Sequence, residues 1–362
     1  LRRTLVGPGR HLLTFFWGDS AVYGWYLTPT ALRAARLGSA DSLEALAEFL
    51  RATIAPGRSD SLWRGPARRM WERLIAPLDP DPTADLLVVS DGPLARVPLE
   101  VLLPPGDSRP WGATRRIVYA PSVAVALTLT QGDSTHPWTR AMLAVGNPRG
   151  RGPRTAASGV ALAFRGTSDP AAPLPYGEEE VRALGDLFGT GRSDVLVARE
   201  ATLRRWLALD PGRYQYLDFA THAQVSETRP ELTRVVLADT SLDLSTIRRL
   251  HLTADLVTLD GCETGLGRRT RGEGVIGLSY AFLAAGARRT LVTLWRVDDR
   301  SAARFMTEFY RRLEGGDDPA SALEAVRAEW IAGGGPPAHP SQWAPYVMVG
   351  ADGERQSLAS GR

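Results

Sequence analysis

The chain has no lysine and a single cysteine, Cys262. Without lysine a phosphate-binding P-loop is excluded, because that motif needs the amine at the end of its glycine-rich turn. One cysteine excludes an internal disulfide and any multi-cysteine zinc or iron–sulfur site. The five histidines (His11, His136, His222, His251, His339) are scattered without metal-ligand spacing, so neither a structural metal nor a cofactor is expected. No apolar run approaches the roughly 20 residues of a membrane helix, and residues 1 to 20 carry no signal-peptide pattern. These absences predict a soluble cytoplasmic domain with no membrane partner. The start at Leu1 instead of Met predicts a fragment of a longer protein. All 43 basic residues are arginine, yet the formal net charge is only +3. That uniformity reads as codon bias, and clusters such as Arg268-Arg269-Thr270-Arg271 and Arg204-Arg205 are short. No direct nucleic-acid partner is expected.

What is present is a globular composition, 44% apolar and 23% charged over 362 residues, enough for two domains or one large core. Two stretches stand out, Tyr214 to Ala223 (YQYLDFATHA) and Ala254 to Gly267 (ADLVTLDGCETGLG). Each is a short apolar run of the kind that forms a strand buried on both faces, and each stops at one distinctive residue, His222 or Cys262. A third run, Arg289 to Val297, ends at Asp298 and Asp299. Between the last two, Gly274 to Gly286 (GVIGLSYAFLAAG) has helical spacing and the length of a crossover, which predicts parallel strands. Ligands of such sheets bind outside the carboxyl ends of the strands. His222, Cys262 and the aspartate pair are therefore expected at one sheet edge.

Elsewhere, residues 12 to 28 read as a hairpin around Gly18-Asp19-Ser20. Helices are expected at Ser42 to Ile54, with Asp41 or Ser42 as N-cap, and at Leu62 to Leu78 with Pro66 near its start. The Pro-, Gly- and Arg-rich stretch from Gly146 to about Pro173 reads as a linker between two α/β halves.

A lone cysteine is ordinarily a small buried hydrophobe. Here it follows a strand, lies between Gly261 and Gly265, and has a histidine at a neighbouring strand end. That suits a thiolate nucleophile with an imidazole partner. The backbone amide of Cys262, with that of Gly261 or Ala223, could hold an oxyanion. Asp260, Asp298 and Asp299 each have a bland reading as helix caps or solvated carboxylates; together around one cysteine they would select a cationic side chain, arginine above all. Trp295 reads as core or as the wall of a subsite. Gly272-Glu273-Gly274-Val275-Ile276-Gly277 fits G-x-G-x-x-G, but a long loop separates it from the preceding strand where a dinucleotide site needs a tight turn.

DFATHA, LVTLDGCETGLG, GEGVIGLSYAFLAAGARRTLVTLWRVDD, the upstream LPYGEEEV and the terminal WAPYVMVG together resemble the CHAT domain, a caspase-like and separase-like cysteine peptidase of clan CD, over about Leu86 to Gly350. The resemblance implies a caspase-like three-layer α/β fold with a mainly parallel sheet in residues 166–362, preceded over 1–165 by a related pseudo-protease half. It implies a His222/Cys262 dyad. Asp260 matches the metacaspase aspartate two residues before the nucleophile, and Asp299 the acidic residue of separases, both implying arginine or lysine at P1. Ala223 stands where the family usually has glycine, and Asp260 where it often has serine. The implied protein is a bacterial endopeptidase acting on a protein substrate under an upstream sensor module, in a setting such as antiphage defence, with autocleavage in the Arg-rich loops at 149 to 165 and 268 to 271 as an added possibility. The alternative is a catalytically silent CHAT module serving as an interaction scaffold.

Overall fold

The structure, a computed structural model, describes residues 2–56, 58–131, 138–150, 173–226, 228–261, 265, 267–270, 274–335 and 338–351. In chain order the strands are β1 (Arg10–Trp17), β2 (Ala21–Leu27), β3 (Leu32–Ser39), β4 (Asp85–Val89), β5 (Ile117–Tyr119), β6 (Arg140–Gly146), β7 (Ser193–Val197), β8 (Tyr214–Ala220), β9 (Ala223–Gln224), β10 (Arg234–Val236), β11 (Ser241–Asp243), β12 (Leu256–Leu259), β13 (Gly267–Thr270), β14 (Gly274–Gly277), β15 (Arg289–Thr293) and β16 (Tyr346–Gly350). The helices are α1 (Arg2–Leu5), α2 (Ala40–Ile54), α3 (Asp60–Leu74), α4 (Val123–Gln131), α5 (Pro175–Phe188), α6 (Leu203–Ala208), α7 (Leu244–Ile247), α8 (Leu278–Ala284), α9 (Asp299–Glu314), α10 (Pro319–Ala332) and α11 (Pro340–Trp343). They form two compact units, one of residues 1–132, 269–274 and 320–353, the other of 133–268, 275–319 and 354–362. β6 thus belongs with the second unit although it precedes residue 165, while most of α10 and all of β16 belong with the first.

In the first unit the strands pair in the order β3-β2-β1-β4-β5-β16. The β1–β2 hairpin turns at the expected Gly18-Asp19-Ser20, and from β1 onward the pairing to β4, β5 and β16 is parallel. Helix α2 starts two residues earlier than its pattern suggested, because Ser39 is the N-cap and its hydroxyl accepts from Ser42 N. Helix α3 ends at Leu74 and keeps Pro66 inside it. Trp71 and Trp111 meet edge to face at 4.6 Å in the core. The late helix α10 is joined to the early chain by a buried pair, Arg327 to Glu100 at 3.1 Å, with Tyr119 donating to the same carboxylate at 2.6 Å.

In the second unit β15, β12, β8, β6 and β7 pair in that order, all parallel. Every residue of β8, β12 and β15 is buried, which is why they read as unbroken apolar runs instead of alternating ones. Alternate residues of β8 face two helix layers. Tyr216 packs with Phe188 of α5 and Tyr310 of α9, while Phe219 packs with Trp206 of α6 and Phe282 of α8. This is the three-layer α/β arrangement.

Two expectations are corrected here. The helix expected from Gly274 begins only at Leu278, because β-branched Val275 and Ile276 between glycines favour the extended β14. The third run leaves the sheet after Thr293, four residues before Val297.

Candidate active site

A cavity of about 250 Å³ opens outside the carboxyl ends of β8, β12 and β15, lined by Gly177, Ala220, Thr221, His222, Asp260, Gly261, Thr293, Arg296, Asp298 and Asp299, among others. Each strand delivers its loop differently. Beyond β8, Thr221 Oγ1 donates to Val236 O at 2.9 Å and Val236 N donates to His222 O at 2.9 Å, so β10 fixes the backbone on which the half-buried imidazole stands. β9, which starts at Ala223, pairs with β10 immediately afterwards.

Beyond β12, Asp260 N donates to Phe219 O at 3.2 Å. Gly261 then presses against the histidine loop: a Cβ placed on it would lie 2.7 Å from Thr221 O and 3.1 Å from Ala223 N. No side chain fits there, which explains the glycine. Thr293 Oγ1 donates to Gly261 O, and Gly265 N donates to Thr293 O at 2.9 Å, so β15 ties down both Gly261 and Gly265. Cys262, which lies between them in sequence, is outside the described residues. So are residues 151–165 of the Arg-rich stretch.

Beyond β15, Asp298 and Asp299 begin α9 with different tasks. Asp298 is exposed at the N-cap, its carboxylate accepting from Arg300 N at 2.9 Å and Ser301 N at 3.4 Å. Asp299, half-buried, accepts from Tyr176 N at 3.0 Å and Gly177 N at 3.1 Å, and so joins the first turns of α9 and α5. Burial pushes its carboxyl up from the ordinary range; the two amide hydrogen bonds pull it down, neighbouring Asp298 raises it, and His222 lowers it. Trp295 is half-buried and is not among the residues lining the cavity, whereas its neighbours Arg296 and Val297 are.

Two further acids are buried on the elements that carry Gly177 and Ala220 to the cavity wall. Glu180 lies one turn along α5 from Gly177, on the buried face with Val181 and Leu184. Asp218 lies two residues before Ala220 on β8 and is wholly buried. Tyr310 OH donates to Asp218 Oδ1 at 3.1 Å and lies 2.6 Å from Thr258 Oγ1. Neither oxygen of Glu180 nor Asp218 Oδ2 has a hydrogen-bond partner among the described residues. Desolvation pushes Asp218 up to about 7. Desolvation, reinforced by like charges, lifts Glu180 and Asp260 well above the carboxylate range. Sequence reasoning missed this pair. The signal was there, a carboxylate in phase with Val181, Leu184 and Phe188 on one helix, and another inside the apolar run YQYLDFA. Among the described residues no cluster of three or more His, Cys, Asp or Glu is arranged to hold a metal ion, and no helix is long and apolar enough to cross a membrane.

Comparison with known proteins defines the class. The fold matches the separase chain of the Saccharomyces cerevisiae separase–securin complex with a TM-score of 0.57 and 11% identity, covering 97% of this chain and 30% of that one. It is a caspase-like, clan CD protease-like fold. The CHAT domain model matches residues 64–351, so the chain belongs to the CHAT domain family. It is also 25% identical over 365 residues to Tetratricopeptide repeat protein 28 of Mus musculus, covering 84% of this chain and 14% of that protein. The human protein of the same name is 34% identical over 125 residues, covering 34% of this chain and 5% of that protein. The chain thus spans about a seventh or less of the curated relatives it matches.

Proposed function

We propose that this CHAT domain is a cysteine endopeptidase with a His222/Cys262 dyad. The observation that carries the reading is the contact between strand-end loops: Gly261, the residue before Cys262, packs directly on the backbone flanking His222, and both border one cavity. In this reading the imidazole takes the thiol proton, the thiolate attacks the scissile carbonyl, and the protonated imidazole returns the proton to the leaving amine. Water then hydrolyses the thioester. Backbone amides of Cys262 and of Gly261 or Ala223 hold the oxyanion, a role in which one donor is worth about 3–4 kcal/mol of barrier.

Asp260 and Asp299, both lining the cavity, receive an arginine or lysine at P1. Asp298, whose carboxylate is engaged on the amides of α9, adds charge at the rim, and Trp295 enters only as the wall of a neighbouring subsite. Residues 1–165 supply most of the non-catalytic companion half and 166–362 the dyad, with β6 joining the dyad's sheet and most of α10 and β16 joining the companion half. A relative named for tetratricopeptide repeats supports a regulatory repeat module elsewhere in the full protein.

The test is cleavage of a peptide library randomised at P1 by the wild type and by Cys262→Ala. Turnover confined to Arg or Lys and abolished in the variant is the expected result. Turnover after other residues removes the acidic-pocket assignment and spares the dyad. If no peptide is cut and a thiol-directed probe leaves Cys262 unlabelled, the domain is an interaction scaffold.

A further inference from the structure

The cavity has acids on two levels. Asp260 and Asp299 line it; Glu180 lies one turn along α5 from Gly177 and Asp218 two residues back along β8 from Ala220, both buried. A Cβ on Gly177 would lie 3.2 Å from Ala220 O and 3.4 Å from Ala220 Cβ, so helix and strand are in direct contact there, and on the α5 side only backbone and the Ala220 methyl separate the cavity from the deeper acids. Glu180 is 2% exposed and Asp218 0%. The charges acting on Glu180 are those of Asp218, Asp260 and Asp299, all of one sign.

Among the described residues, the charges acting on Glu180 at depth are all acidic. From α9 the groups facing the pair are the neutral phenol of Tyr310 and the carboxyl of Asp299; from β12 they are the hydroxyl of Thr258 and the carboxyl of Asp260. The basic side chains of the site stand further out: His222 acts on Asp299, and exposed Arg296 lines the cavity. Four carboxyls packed this closely in apolar surroundings cannot all ionise, since each buried charge would repel the others without water to screen it. The empty site therefore retains protons. A cation entering from the cavity changes that balance, because it supplies the opposite charge the cluster lacks.

We propose that Glu180 and Asp218 are the inner tier of the cation pocket, and that a guanidinium entering it displaces a proton from them. This rests on reading the cavity as the P1 site. The step is a carboxyl O–H giving its proton to bulk buffer while the carboxylate left behind is neutralised by the arriving side chain. Recognition of arginine is then proton-coupled: affinity for a P1 arginine rises with pH across the range in which the pair titrates, and a neutral P1 residue gains nothing. The two acids act through charge and need not touch the scissile bond, so they are specificity residues and not catalytic ones.

The test uses the full chain carrying Cys262→Ala, so that bound peptide is not turned over. Peptides identical except for arginine or its neutral isostere citrulline at P1 are titrated calorimetrically at pH 6.5 in phosphate and in Tris, whose ionisation heats differ. The difference in heat counts protons released. Arginine peptide is expected to release between half a proton and one proton more than the citrulline peptide, and to bind at least tenfold more tightly. Adding Glu180→Gln, Asp218→Asn or both should remove most of the excess release while the citrulline peptide is unaffected. Arginine-selective binding with no excess release, or with an excess unchanged in the double variant, overturns the inner-tier assignment and leaves the P1 reading standing. Equal binding of the two peptides, or none of either, overturns both. Where one substitution prevents folding, the other single variant carries the same comparison.

Discussion

Asp218 carries its consequence in a single side chain. Its folded-state carboxyl is pushed up to about 7, against the ordinary value of 3.8, with desolvation as the main cause and the Tyr310 hydrogen bond opposing it. An acid raised by folding is protonated more readily in the native state than in the unfolded one. Its contribution to stability is thus whole below the ordinary carboxylate range and is lost as pH rises through about 7. Asp218→Asn should remove that loss. In thermal or urea melts the variant is expected to be more stable than the wild type at pH 8 by at least about 1 kcal/mol, the worth of a one-unit shift, with the gap narrowing as pH falls and closing only in the ordinary carboxylate range near 3.8. A gap independent of pH would show that the carboxyl does not titrate in this range.

At the scale of elements, the site depends on where α5 lies on the sheet. Gly146, the last residue of β6, is the point of closest approach: a Cβ there would fall 2.5 Å from Val181 Cγ2 and 2.7 Å from Gly177 O. Gly146→Ala should lift the first turn of α5, with Gly177 and its hydrogen bond to Asp299, at a cost of about 1–3 kcal/mol. Cleavage of an arginine peptide should show a raised KM with thiol labelling of Cys262 unchanged, which separates damage to the pocket from damage to the dyad. Much of this level was legible in the sequence. β8, β12 and β15 announce themselves because strands buried on both faces are apolar at most positions and show no alternation, and the residues that end each run stand at or near the cavity. The strand Gly274–Gly277 was read as helix because four residues are too few to show a period. Glu180 escaped because three consecutive glutamates in GEEEV look like a solvated face, and only their phase against the later apolar positions turns the third one inward. Asp298 and Asp299 could not be told apart, since capping a helix and bridging to another helix are both tasks for a short carboxylate and differ only in three dimensions.

At the scale of the molecule, the division expected near residue 165 was drawn from composition, whereas the compact units follow strand pairing. β6 pairs with both β7 and β8, so a fragment beginning at residue 166 would strip the second unit of an inner strand. The first unit is likewise discontinuous, held to its late segment by Arg327, which is 1% exposed and pairs with Glu100 at 0%. Arg327→Met leaves that carboxylate buried with the Tyr119 hydroxyl but without its counter-charge and should cost about 3–5 kcal/mol, while the added change Glu100→Leu should recover most of it. Chemical denaturation of the single and double variants measures both, and a single variant as stable as wild type would mean the pair is dispensable.

The same pairing sets an order in time. Met348 of β16 lies beside Val118 of β5, although some 230 residues of chain separate them. On a ribosome the second unit has the last of its described elements, α9, by Glu314. The first unit begins the chain, and β4 can pair with β5 early, but β5 must wait for Tyr346–Gly350 before it gains its second neighbour. At about 5–20 residues per second, the earlier-made half is therefore the later one to close.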